Sequence, residues 1–201
     1  MLNLKLTVKD NQLRRLESEL RHLPDKAAAL LAHGTNITMD HLERTVIDAI
    51  TDTYTVDKEL VEASISKRIA TKANPTAQLR SYGPALRLRA FDHFPVRASK
   101  KTKPAIGVHV KIRKDSAGRP LRGTFIAQMK SGHIGVFARK DNARRRKAAN
   151  KWGITSLGIK EPTGPAVPSM VSEVIKERQL EAKAAKLLEK NIDKIIDSLL
   201  W

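Results

Sequence analysis

The chain has 201 residues and no cysteine, with 38 Lys or Arg against 21 Asp or Glu, a formal net charge of +17. Disulfide frameworks, thiolate zinc sites and cysteine nucleophiles are thereby excluded, and with 41% hydrophobic but only 4% aromatic residues the core must be built largely from Leu, Ile, Val and Ala. No stretch reaches the roughly 18 apolar residues that span a bilayer, and residues 1–8 lack the unbroken apolar block of a secretory signal, so the expectation is synthesis in the cytoplasm and no membrane partner.

After a short extended start, Asp10 can cap a first helix whose Leu13, Leu16, Leu20 and Leu23 recur at the spacing of one helix face. Pro24 removes an amide donor and crowds the preceding turn, so a kink is expected there before the alanine-rich continuation, which His33 and Gly34 close. Thr38 then reads as a second cap, with Leu42, Val46, Ala49 and Ile50 as the stripe behind it. A third helix is expected from about Asp57, because Leu60, Val61, Ile65, Arg68 and Ile69 repeat at helical spacing until Asn74 and Pro75 stop it. From there the period changes to two. Residues 79–91, 105–112, 121–129 and 134–138 read as strands, joined by turns at 95–104, 115–120 and 131–133. Residues 158–168 form a Pro- and Gly-punctuated crossing, after which Ser169 caps one long terminal helix about 45 Å in length. The expected fold class is α+β: N-terminal helices, a small antiparallel β-sheet and a long C-terminal helix. These would make one domain over 1–201, with a helical part at 1–75, a basic sheet part at 76–160 and the crossing segment and final helix at 161–201.

Charge is segregated along the chain. Residues 67–160 hold 24 Lys or Arg and three acids, a net +21, whereas the flanks hold 14 basic and 18 acidic residues, a net −4. Such a block meets polyanions: nucleic acid, an anionic surface or an acidic protein. Two clusters are candidate contacts, Arg97, Lys100, Lys101 and Lys103 between two prolines, and Arg139, Lys140, Arg144, Arg145, Arg146, Lys147 and Lys151 beyond the last clear strand. Neither carries the interleaved aromatics that stack single-stranded bases, so nucleic acid and acidic protein both stay open.

Catalytic chemistry is not legible. His22, His33, His41, His93, His109 and His133 lack metal-ligand spacing, Gly132 and Gly135 lack the Lys and Ser of a phosphate loop, and no nucleophile elbow or carboxylate pair stands out. The expectation is a non-enzyme with no metal and no cofactor.

The stretch GTFIAQMKSGHIGVFARK (123–140), followed by IKEPTGPAVPSMVSEV (159–174), resembles the lambda-type minor tail protein Z family of tailed phages and prophages. The positions that carry the resemblance are Gly123, Phe125, Ile126, Lys130, Gly132, Val136, Phe137 and Arg139, then Gly164, Pro165, Val167, Pro168 and Met170, with Pro24 and Ala27, Ala28 and Ala29 near the start. The run from Arg144 to Lys147 departs from the family's short loop. The resemblance implies a virion protein that completes the head-proximal end of the tail and forms part of the head-to-tail joint, assembled in the host cytoplasm. It implies a closed homo-oligomeric ring, a hexamer first, beside tail-terminator or neck proteins and around the passing DNA. In it, Gly123, Phe125, Gly132, Phe137, Arg139 and Pro168 would have structural roles. The apolar tip Leu199, Leu200 and Trp201 is the candidate oligomer interface. The alternative reading is a nonspecific nucleic-acid-binding protein that uses the basic central segment.

Overall fold

A computed structural model describes residues 2–7, 14, 18, 24–96, 106–139 and 158–200. The expected first-helix residues Asp10, Leu13, Leu16, Leu20 and Leu23 lie outside the described residues. Contacts divide the chain into two compact units, one of 1–51, 58–84 and 166–201, the other of 52–57 and 85–165.

The first unit holds the sheet β1 (Leu2–Leu6), β3 (Ala77–Ser81) and β2 (Ile65–Arg68), with β3 central and both neighbours antiparallel to it. Its helices are α1 (Pro24–Thr53), α2 (Lys58–Ala63), α3 (Val167–Glu177) and α4 (Leu180–Leu200). Alternation in β3 sends Ala77, Leu79 and Ser81 to the buried face and Gln78 and Arg80 to the other. Helix α3 packs against β1 and β3 and buries Val167, Met170, Val171, Val174 and Ile175.

Helix α1 corrects the expected break at Gly34 and the expected cap at Thr38. Thirty residues run without interruption, and the buried stripe of Leu31, Thr35, Thr38, Leu42, Val46 and Ile50 passes straight through the supposed gap. The threonine hydroxyls return to the helix's own carbonyls, Thr35 Oγ1 to Leu31 O and Thr38 Oγ1 to Gly34 O, both at 2.8 Å. Their polar atoms are thus satisfied inside, and Thr38 Oγ1 also accepts a 2.9 Å bond from Asn191 Nδ2 on α4. Gly34 is bare because Ile192 and Ile195 crowd it: an added Cβ would lie 3.1 Å from Ile195 Cδ1.

The expected third helix stops after six residues. Ser64 ends it by donating to Leu60 O at 3.0 Å, and Ile65 then pairs with Ser81 as the first residue of β2. Ile69 is left 57% exposed, which no helix stripe would allow. Beyond the strand, Asn36 of α1 stands in for a strand partner, accepting from Ala70 N at 2.7 Å and donating to Ala70 O at 3.1 Å.

The expected fold class is overturned at two further points. There are several small antiparallel sheets instead of one, and the long C-terminal helix is two helices. Gln179, at φ +51°, separates α3 from α4. Nine residues make about two and a half turns, so in one straight helix Leu180 would face opposite to Val171. Both are buried, and the break lets both stripes meet the core. Ser169 is not the cap either, since α3 begins at Val167 with Ala166 before it and Pro168 in the first turn.

The second unit holds β4 (Ala85–Arg87), β5 (Asp92–Phe94), β6 (Val108–Lys111), β7 (Arg119–Leu121), β8 (Thr124–Gln128), β9 (Ile134–Arg139), β10 (Ile159–Lys160) and β11 (Thr163–Ala166). They form the sheets β5-β6-β7, β10-β9-β8 and the pair β11-β4. Thr55 ties residues 52–57 to this unit: its amide donates to Ile112 O at 2.9 Å, and its hydroxyl contacts Lys111 O and accepts from Asp92 N. Among the described residues, Tyr54, Val56, Leu88, Phe91, Val108, Val110, Ile126, Val136 and Phe137 are its buried apolar residues.

Candidate functional site

The second unit carries 20 Lys or Arg against six Asp or Glu, a net +14, so most of the chain's excess charge belongs to it. The candidate contacts Lys100, Lys101, Lys103, Arg144, Arg145, Arg146 and Lys147 lie outside the described residues, as do Arg97, Lys140 and Lys151. Trp201 lies outside them too, and Leu199 and Leu200 are described only as backbone in the last turn of α4.

The residues of the sequence resemblance are described, and those of the second unit, 123–139 and 164–165, converge. Strands β8 and β9 pair antiparallel with Phe125 opposite Phe137 and Ile126 opposite Val136. Period-two alternation therefore puts the two phenylalanines on one face, their ring centroids 6.4 Å apart, and Ile126 with Val136 on the other. Phe137, which also has the His133 ring against it, is buried, but Phe125 only half-buried. Gly123 and Gly132 have φ of +75° and +83°, the left-handed region where a Cβ is disfavoured. Gly132 N donates to Met129 O at 2.9 Å and Met129 N to His133 O at 2.7 Å, closing the hairpin.

The second half of the pattern comes back to the same place. Arg139 pairs with Ile159 and Ala138 with Lys160, so β10 extends the hairpin into a third strand. Gly164 lies against the Phe91 ring, where an added Cβ would meet Cε2 at 2.6 Å. Pro168 belongs to the first unit instead, where it is buried in the first turn of α3.

One polar cluster was invisible in the sequence. His133 Nε2 lies 3.1 Å from Glu161 Oε1, Arg87 Nε lies 3.5 Å from Glu161 Oε2, and Arg87 Nη1 approaches both ring nitrogens of His133 at 3.2 and 3.3 Å. The imidazole also stands edge-on to Phe137, centroids 5.9 Å apart, and the carboxylate fills the space that a Cβ on Gly135 would need. The signal was spread over residues 87, 133 and 161, on three separate strands or turns, and no local spacing reports it. A His, an Arg and a carboxylate could move a proton, yet the described hydrogen bonds of the cluster bring no serine or threonine hydroxyl to it. The arrangement fastens the hairpin turn to the crossing segment.

Among the described residues no group of three His, Asp or Glu is placed to hold a metal ion, and no helix is long and apolar enough to cross a membrane. No protein-family model, no curated protein and no solved structure matches the chain.

Proposed function

We propose that the chain is a structural virion protein of a tailed phage or prophage that completes the head-proximal end of the tail, within a homo-oligomeric ring at the head-to-tail joint. The observation that carries this reading is the convergence of the two halves of the resembling sequence. Residues 123–139 and 159–165 meet through the β9–β10 pairing, the His133–Glu161 contact and the seating of Gly164 against Phe91. Their roles are turn, pairing and packing, which is what a protein that works by assembly and geometry needs. An enzyme would need a reactive group held at a cleft. The ring, most simply a hexamer, would contact tail-terminator or neck proteins and surround the DNA.

A phage carrying a stop codon in this gene tests the reading. Heads and tails should both form, infectivity should be lost, and labelled protein supplied in trans should mark the head-proximal end of the tail. Label at the distal tip, or particles fully infectious without the protein, would refute it. The second reading, a stand-alone nonspecific nucleic-acid-binding protein, draws on the +14 unit. It predicts tight duplex binding by isolated monomers and no incorporation into particles.

A further inference from the structure

The first unit is nearly neutral, with 18 Lys or Arg against 15 Asp or Glu, yet one face of it has no acid. The β1-β3-β2 register fixes which side chains share that face. Asn3 pairs with Arg80 and Arg80 with Ser66, and Lys5 pairs with Gln78 and Gln78 with Arg68. The opposite face takes Leu2, Leu4, Leu79, Ser81 and Ile65, together with Lys67, which bonds Asp40 and Glu43 on α1. Asn3, Lys5, Ser66 and Arg68 are exposed, and Gln78 and Arg80 half-buried. We infer that this polar face of the β1-β3-β2 sheet contacts the phosphodiester backbone of duplex DNA.

Three observations carry the inference. The first is cations without ion pairs: among the described residues Lys5, Arg68 and Arg80 pair with no acid, in contrast to Lys67 on the other face, although Lys5 borders a hollow that Glu181 and Glu189 also line. Strands lie about 4.8 Å apart and residues about 3.4 Å along them, so the three cations stand within about 10 Å. That is about one Debye length at moderate salt, and they act on a polyanion as one patch.

The second is the state of Arg80. Its Nη2 donates to Gln78 Oε1 at 2.9 Å, which holds the guanidinium along the sheet, while its Nε is buried and makes no hydrogen bond. The enclosed Nε is out of reach of a ligand, so a phosphate oxygen would meet this half-buried guanidinium at its remaining Nη hydrogens, with a charge-assisted bond.

The third is composition. Arg, Lys, Ser, Asn and Gln are the side chains that position proteins on DNA phosphates, and the six paired positions of this face hold nothing else. Protein interfaces are enriched at their centres in aromatic and apolar side chains and single-strand platforms need several aromatic rings to stack bases, whereas among the described residues the one exposed aromatic next along this face is Tyr82, past the end of β3. A three-stranded sheet is also too broad to enter a groove that admits a helix or a two-stranded ribbon. Contact is therefore with the backbone and independent of sequence. At about 3.4 Å per phosphate along one strand, 10 Å of DNA offers about three partners.

The surface holds whether or not the chain belongs to a virion, since it rests on the first unit alone. The test uses the full chain and a 30-bp duplex of arbitrary sequence, with binding followed by fluorescence anisotropy across a salt series. The triple variant Lys5→Gln, Arg68→Gln, Arg80→Gln should flatten the plot of log affinity against log salt by about 2.7, at about 0.9 per phosphate, equally for two unrelated duplexes. Its thermal midpoint reports folding. If the triple variant does not fold, Lys5→Gln with Arg68→Gln, both exposed, should remove about 1.8. A folded variant with the unaltered slope overturns the inference. So does one that loses an acidic protein partner or self-assembly while its duplex binding is unchanged, because the face would then serve a protein.

Discussion

At Phe137 and Phe125, two residues of one type in one pair of strands have unequal roles. Phe137 is 5% exposed, with Phe125 on one side and the His133 edge on another, whereas Phe125 is half-buried. Replacing Phe137 by Ala should cost about 3 to 5 kcal/mol, the range for deleting a buried ring. Phe125→Ala should cost about half of that, since much of its ring surface stays in contact with water in the native state. Denaturant midpoints of the two variants decide the matter, and equal losses would mean that Phe125 is as well packed as Phe137 on the face they share. The sequence showed both residues as members of alternating strands, but alternation cannot say which of two rings on one face is better covered. That depends on His133, which approaches from the turn, and on Arg87 and Glu161 behind it.

Two elements carry consequences of their own. The α3–α4 junction uses Gln179 in the left-handed region, which costs a residue with a Cβ about 1 to 2 kcal/mol. Gln179→Gly should therefore stabilise the protein by up to about 1 kcal/mol, after the extra entropy of glycine in the unfolded chain is subtracted. A rise in thermal midpoint checks this, and a fall would mean that the break is sustained by the glutamine side chain. The second case is Lys67 of β2, which lies 2.6 Å from Asp40 Oδ1 and 2.7 Å from Glu43 Oε2 on α1. Its pKa is raised above the ordinary 10.5, first by the hydrogen bond to Asp40 and next by that to Glu43. A raised folded-state value means that the stabilisation is complete below the unfolded value and is lost as pH climbs through the folded one. Lys67→Met should thus lower the thermal midpoint by a constant amount below about pH 10.5, and the gap to the parent protein should close above it. A gap that closes near neutral pH would assign the effect to another group.

For the whole molecule, charge is the property that sets what it meets. The second unit has a net +14 and the first a net +3, so association with a polyanion is dominated by one half of the chain. Arg144, Arg145, Arg146 and Lys147 are consecutive, and no single one need be unique. Single Ala changes should be nearly silent, whereas replacing all four by Gln should flatten the salt dependence of duplex binding by up to about 3.6, if each meets a phosphate. Arg145→Lys keeps the charge and loses the planar fork. Loss of function from that change alone would replace distributed charge with one specific contact.

What the amino-acid order determined by itself is what depends on near neighbours. The β8–β9 hairpin was legible because period-two alternation on both sides of Ser131, Gly132 and His133 leaves a tight turn as the one economical connection, and the segregation of charge needs only counting. The break at Gln179 was not legible, because helix formers fill the junction and the apolar residues on both sides read as one stripe of a single long helix. Tertiary structure decided the rest, where two local solutions were close in energy. Residues 65–69 satisfy both a helical and a strand period, and the ladder with β3 settled them. Thr35 and Thr38 could cap or continue a helix, and the burial of their face against α4, with Asn191 reaching Thr38, chose continuation. The polar face of β1-β3-β2 and the Arg87–His133–Glu161 cluster join residues tens of positions apart, which only pairing across the fold brings within a few ångströms.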